Sequence, residues 1–208
     1  NTGLKSYRSE VFKKFPRTDI PDYFGSYPEF QRYVSTLLKM NCISNPKKIW
    51  WDVRVHPFFD TIEFRICDVP MRVEETIAIT AIFQALVAKL YKLRMQNMSF
   101  ILYNRALINE NKWRAQRYGL AEGLVDFGRG CIVPFPELLA ELQALVAEDA
   151  AHFGCEAEIR HLGTILERGT GADRQRAVRL AALERGAAPL AAMQAVVDDL
   201  IVQTQVTG

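Results

Sequence analysis

An eight-residue stretch, Thr61–Asp68, alternates apolar and polar side chains, which is the pattern of a β-strand with one buried face. Successive side chains of a strand point to opposite faces, so its three apolar side chains share one face. Glu63 and Arg65 share the other face, with their α-carbons about 7 Å apart by strand geometry. The apolar face predicts packing against helices, and the polar face offers a carboxylate beside a guanidinium.

A second stretch, residues 49–55, also alternates, and Pro57 ends it. It lies close enough in sequence to form a hairpin with the first strand. Its polar face carries Asp52 and Arg54, so Arg54 could join Arg65 in one anionic site. The alternative is a structural salt bridge between Asp52 and Arg54. His56 is interpreted as a loop histidine without a catalytic role.

Helical patterns dominate the rest of the chain, and the fold class predicted is α+β. The expected helices start at Ser26, which caps a segment to Met40, and continue at Val73–Asn97, Tyr103–Tyr118 (closed by Gly119), 137–153, 156–168, 172–185 and 188–203. A short strand pair is expected within 123–133, and residues 1–27 are expected to be irregular with one short strand. All strands are expected to pair antiparallel. We expect residues 1–133 to form the sheet-bearing part of one domain and residues 134–208 its helical region.

The Glu63–Arg65 pair suits phosphoryl transfer, because Mg²⁺ prefers carboxylate and phosphate oxygens. An arginine grips phosphate through its planar fork and stabilises charge on the moving phosphoryl group. The alternative is a partly exposed ion pair on an open sheet face.

Three further segments hold candidate binding residues. Tyr7 and Arg8 lie in a glycine-bearing segment, where Arg8 could bind a substrate carboxylate or be a solvated surface residue. Arg114 and Arg117 share one face of a polar helix, which could border an anionic pocket, contact nucleic acid or be solvated. The glycine-bearing stretch 168–176 lacks the lysine and spacing of a P-loop and is interpreted as a joint between helices.

Composition narrows the function classes. The net charge of +2 is too small to indicate a nucleic-acid or membrane partner. The four cysteines have no close pairing, which argues against zinc and favours free thiols in a reducing cytoplasm. No stretch is expected to reach the apolar length of a membrane span. A serine–histidine–acid arrangement and a dinucleotide-binding glycine motif are both missing from the sequence.

Several motifs occur in order along the chain, and together they resemble the bacterial carboxylate–amine ligases related to glutamate–cysteine ligase. They are Thr2-Gly3-Leu4-Lys5-Ser6-Tyr7-Arg8, Trp50-Trp51-Asp52-Val53-Arg54, Thr61-Ile62-Glu63-Phe64-Arg65-Ile66-Cys67-Asp68, Asn111-Lys112-Trp113-Arg114-Ala115 with Arg117-Tyr118-Gly119-Leu120, and Gly171-Ala172-Asp173-Arg174-Gln175. The resemblance implies a glutamine synthetase-like fold, in which a curved antiparallel sheet forms the floor of the active site.

The same resemblance implies roles for individual residues. Glu63 would be a metal ligand, and Arg65 would contact phosphate. Arg54 would be a second catalytic arginine. The substrate or ATP would be bound by Arg8, Tyr7, Arg114 and Arg117.

The implied reaction joins the γ-carboxylate of glutamate to an amine such as cysteine, through an acyl phosphate formed with ATP and Mg²⁺. Family members begin with a strand rich in metal-binding glutamates, which this sequence lacks, so we expect the chain to be the later half of such a ligase. Its first residue is Asn1 rather than methionine. The expected partners are the missing half and a second copy of the enzyme. The alternatives are a non-catalytic interaction module, or inactive fragment of such a ligase, and a nucleic-acid binder.

Overall fold

The structure, a computed structural model, describes residues 3–205, and helices alternate there with three small sheets. The helices are α1 (Arg8–Phe12), α2 (Tyr27–Lys39), α3 (Val73–Met95), α4 (Arg105–Tyr118), α5 (Phe135–Phe153), α6 (Glu156–Arg160), α7 (Leu162–Arg168), α8 (Gly171–Glu184) and α9 (Pro189–Gln205), with a 3₁₀ turn at Pro46–Lys48. The strands are β1 (Thr18–Asp19), β2 (Trp50–Trp51), β3 (Val53–Val55), β4 (Ile62–Phe64), β5 (Leu124–Asp126) and β6 (Cys131–Val133). This mixture agrees with the α+β class, while the glutamine synthetase-like arrangement stays a prediction.

Each sheet has two strands, and the predicted hairpin is present as the antiparallel pair β3–β4. The strand expected over residues 49–55 is interrupted at Asp52. Its N–H donates to Asp19 O (2.9 Å), whereas its carbonyl accepts from Arg65 N (2.7 Å), so the chain changes partner there. The expectation that all strands pair antiparallel is wrong, because β1 and β2 pair parallel.

Local signals place most helix ends. The Ser26 side chain accepts from Glu29 N at the start of α2, and Gly119 closes α4, as predicted. Thr170 and Asp173 form a capping box that starts α8, which confirms the helix joint in this segment. The single helix expected over 156–168 is instead two helices that meet at His161. The short helix α1 was not predicted.

Two apolar clusters hold the elements together. The larger one joins α3 to α5 and α6 through Ala81, Ala85, Val146 and Ile159, among others. The two alanines of α3 are small enough for side chains of the neighbouring helices to pack against this part of the helix. In the second cluster α2 packs against Trp51 of β2, whose ring stacks on the ring of Tyr33 in α2. The β3–β4 hairpin lies between these two clusters in sequence, and its Phe64 packs against Phe83 of α3.

Helix α3 corrects one expectation. With 23 residues and a mean hydropathy of 1.4, it is long and apolar enough to cross a membrane by length and composition. Core helices of globular proteins have the same composition, and α3 packs against α5, α6 and α7 here. Only 22% of its most apolar window is buried, so much of its apolar surface is open in this chain.

Candidate functional site

The polar face of the β3–β4 hairpin brings together three of the residues singled out from sequence. Arg54 lies directly opposite Glu63 in the strand register. Its Nε and Nη2 lie 2.8 and 2.7 Å from Glu63 Oε2, and Arg65 Nη1 donates to Glu63 Oε1 at 2.8 Å. Glu63 therefore sits between two guanidiniums, which leaves one net positive charge on this face.

The two arginines differ in what they have left to offer a ligand. Arg54 is 9% exposed, and its Nη1 also donates to the carbonyl oxygens of Lys47 (2.8 Å) and Ile49 (2.7 Å). By contrast, the buried Arg65 Nε has no hydrogen-bond partner among the described residues. Arg65 thus keeps one unpaired donor in the described part of the chain, while Arg54 connects Glu63 to the preceding turn.

A second charge cluster lies next to the first. The Lys112 ammonium, on α4, is 2.5 Å from Asp19 Oδ1 and 2.6 Å from Asp52 Oδ2. Asp52 and Arg65 also share a backbone hydrogen bond, which joins the two clusters. The alternative of an Asp52–Arg54 salt bridge is wrong, because each residue has a different partner. Sequence reasoning missed Lys112, although it lies within one of the motifs that carry the resemblance.

Burial and pairing act in opposite directions on the carboxyl groups of these clusters. Burial raises the pKa of Glu63, but hydrogen bonds and charge from Arg65 and Arg54 together outweigh it and lower that pKa. For Asp19, burial likewise opposes Lys112, and the pKa is again lowered. A lowered folded-state pKa stabilises the fold above the ordinary carboxyl pKa. That stabilisation is lost as pH falls through the lowered value.

Arg8 and Tyr7 flank this region from the N-terminal segment. Arg8 Nη1 donates to Arg65 O at 2.8 Å, and its guanidinium lies over the Phe12 ring. Arg8, Arg65 and Lys112 line one small cleft together. Tyr7, half exposed, lines a neighbouring cavity of about 710 Å³.

That larger cavity collects residues from distant parts of the chain. Its lining includes the first turn of α8, the segment after β4, and charged side chains of both signs: Lys5, Asp68, Glu75, Arg176 and Arg179. Lys5 pairs with Asp173, which also belongs to the capping box of α8. The sequence analysis interpreted the stretch 168–176, which contains Arg176, as a joint between helices, and it gave no binding role to Arg176 or Arg179.

Arg114 and Arg117 lie elsewhere and line neither the cleft nor this cavity. Arg114 donates to the carbonyl oxygens of Gly123 (3.3 Å) and Glu122 (3.1 Å). Arg117 Nη1 donates to Gly3 O at 2.6 Å, and both guanidiniums lie 5.6 Å from the Tyr118 ring centroid. Both arginines connect backbone segments here, and their role as ligand contacts stays a prediction.

Thr2, the first residue of the N-terminal motif, lies outside the described residues.

The metal site implied by the resemblance is only partly represented in this chain. Glu63 is its one predicted ligand, and both oxygens of that carboxylate accept from arginines. Within residues 3–205, no group of three His, Cys, Asp or Glu side chains is placed to hold a metal ion. Because Mg²⁺ takes several oxygen ligands, these residues do not fit a metal site by themselves.

Comparison with known proteins decides the family. The sequence profile of glutamate–cysteine ligase family 2 matches residues 1–196. The chain belongs to glutamate–cysteine ligase family 2. Proteins provisionally named glutamate–cysteine ligase 2 are similar to it: one from Solibacter usitatus is 55% identical over 174 residues (84% of this chain, 45% of the relative). Those from Sorangium cellulosum and Rhodospirillum rubrum are 51% and 50% identical over 98% of this chain and 52% of each relative.

Family membership confirms the resemblance drawn from the five motifs. The chain spans about half the length of the curated relatives that it matches. The roles of individual residues are not tested by this similarity.

Proposed function

We propose that this chain contributes the phosphate-binding face of an ATP-dependent ligase that joins the γ-carboxylate of glutamate to an amine such as cysteine. The observation that carries the proposal is Arg65, whose buried Nε lacks a partner among the described residues although its Nη1 is held by Glu63. Arg65 also lines the small cleft, and a guanidinium fixed in this way is suited to charge that develops during phosphoryl transfer. ATP and Mg²⁺ are the cofactors of this proposal.

The other residues have supporting roles in the proposed reaction. ATP would phosphorylate the glutamate carboxylate, and the amine would then displace phosphate from the acyl phosphate. Arg65 would offset charge on the transferred group, Glu63 would hold Arg65 in place, and Arg54 would anchor Glu63. Arg8, which shares the cleft with Arg65, would add positive charge for an anionic substrate.

The metal-ligand role of Glu63 stays a prediction. Both its oxygens accept from arginines, so ligation would require one of these contacts to open and further oxygen ligands to come from outside this chain. The cavity beside Tyr7, with side chains of both charge signs, is the proposed place for an amino-acid substrate.

The test uses a full-length chimera in which this chain replaces the matched half of the Sorangium relative. ADP release is measured with Mg²⁺–ATP, glutamate and a panel of amines that includes cysteine. We expect turnover that requires both glutamate and one amine. Arg65→Ala should lower kcat by about 10²–10³-fold, as removal of a transition-state donor does. Arg105→Ala, at an exposed arginine that does not line the cleft, is the matched control.

Two outcomes would contradict the proposal. Wild-type turnover of Arg65→Ala at saturating ATP and Mg²⁺ would remove Arg65 from the site. No ADP release with any amine, together with no ATP binding by calorimetry, would favour the non-catalytic interaction module. For Glu63→Gln, a raised Mg²⁺ requirement would support metal ligation, whereas reduced turnover at an unchanged Mg²⁺ requirement would support positioning of Arg65.

A further inference from the structure

An apolar groove of about 1210 Å³ runs between the β3–β4 hairpin and α3. In it, Phe64 stacks on Phe83 with 4.1 Å between ring centroids. Other large apolar side chains in the groove are more than a third exposed: Val55, Phe58, Phe59, Ile62, Tyr91 and Phe153. Apolar surface gathered in one groove in this way is typical of a contact with another polypeptide.

The strand beside this groove has a free edge. In the described part of the chain, β4 pairs with β3 alone. The hydrogen bonds from His56 N to Thr61 O (2.9 Å) and from Arg65 N to Asp52 O (2.7 Å) show which residues face β3. Because backbone direction alternates along a strand, the N–H and C=O groups of Ile62 and Phe64 face the opposite edge. That edge can accept a further strand.

We propose that this groove and the free edge of β4 are the docking surface for the half of the family's polypeptide that this chain does not span. The relatives are about twice as long, so a comparable length of chain is available to cover the surface. A strand added beside β4 directs every second side chain to the apolar face, where the groove lies. We therefore expect the docking strand to carry apolar residues at those alternate positions.

A partner docked on this surface would also cover the apolar side chains of β4 and α3 that are exposed in this chain. Ile62 is 48% exposed although it lies on the face predicted to pack against helices. The exposed side of α3 borders the same groove through Thr76, Thr80 and Tyr91. This inference rests on family membership and on the geometry, and it is independent of the proposed ligase activity.

In the test, this chain and the remaining segment of the Sorangium relative are produced in one cell, and the chain is purified through an affinity tag. We expect a 1:1 complex by analytical ultracentrifugation. Hydrogen exchange of the Ile62 and Phe64 amides should be at least about tenfold slower in the complex than in the chain produced alone. Phe59→Asp should lower the yield of complex, whereas Leu190→Asp, an 83% exposed position on α9, should not.

Every other outcome overturns the proposal. A complex with unchanged exchange at Ile62 and Phe64 would place the contact elsewhere. A homodimer with slowed exchange would make a second copy the occupant. A chain that stays monomeric and binds no segment would show that the groove is not a docking surface for this partner. None of these readouts depends on catalysis, so failure here and failure of the proposed ligase activity are distinguishable.

Discussion

At the residue scale, Lys112 carries the least replaceable charge in the described part of the site. Its side chain is 7% exposed and contacts two carboxylates, Asp19 and Asp52, which are themselves partly buried. Two carboxylates that contact the same ammonium group would repel each other if that cation were absent. Lys112 therefore joins α4 to both the N-terminal segment and the start of the hairpin.

Replacing this lysine is expected to destabilise the fold. Lys112→Met keeps the length of the side chain but leaves two partly buried carboxylates without a cation, which costs about 3 kcal/mol of unfolding free energy. Urea denaturation at neutral pH measures the loss. Lys13→Met, which breaks an exposed pair with Glu10, should change stability by less than about 1 kcal/mol. Equal effects of the two substitutions would contradict the view that Lys112 is structurally special.

At the element scale, the β5–β6 hairpin is held against α4 by side chain–backbone contacts. Asn111 Nδ2 donates to Val125 O (2.8 Å), and Val125 N donates back to Asn111 Oδ1 (2.7 Å). Gly123, at the start of this hairpin, has φ +67° and is buried. A Cβ there would lie 2.3 Å from Val133 O, so the close approach of the two backbones requires glycine.

This close approach gives a matched pair of substitutions. Gly123→Ala and Gly130→Ala both place alanine at a similar positive φ, but Gly130 is exposed and a Cβ there meets nothing within 4 Å. Backbone strain alone should cost about 1 kcal/mol at either position. The clash should add about 1–3 kcal/mol at Gly123. Thermal denaturation of both variants measures the difference, and equal losses would show that β5 and β6 can separate without cost.

At the scale of the whole molecule, α3 connects the sheet-bearing part to the helical region. The apolar cluster on α3 includes Val146 and Ile159, which belong to the later helices. Lys5 also pairs with Asp173 of α8, and Arg72 donates to Gln203 of α9, so residues before 134 contact the last two helices. That residues 1–133 and 134–208 belong to one domain stays a prediction.

The one-domain prediction can be tested with a substitution in one part and a probe in the other. All three tryptophans lie before residue 134, whereas Ile159 is 3% exposed in α6. If the parts unfold together, Ile159→Ala should lower stability by about 2–5 kcal/mol as measured by tryptophan fluorescence. Ile201→Ala, at a half-exposed position, should have little effect. A fluorescence transition that is unchanged while the far-UV circular dichroism transition moves would indicate two independent units.

The amino-acid sequence by itself determined most of the helices, the β3–β4 hairpin and the family, because these depend on local signals. Alternation over Thr61–Asp68 and the caps at Ser26 and Gly119 act within a few residues of themselves. Strand geometry placed Glu63 and Arg65 on one face, and the ion pair that they form was one of the two alternatives for them. Five short motifs in the same order as in the family were enough to reveal the relationship to glutamate–cysteine ligase family 2.

Only the tertiary structure decided which charges meet. Asp52 pairs with Lys112 rather than with its sequence neighbour Arg54, because the strand changes partner at Asp52 and turns the two side chains to different neighbours. The parallel pairing of β1 with β2 and the open groove beside α3 likewise depend on segments far apart in the chain. Such contacts depend on the packing of whole elements, and the periodicity of one element carries no information about the face that another element presents to it.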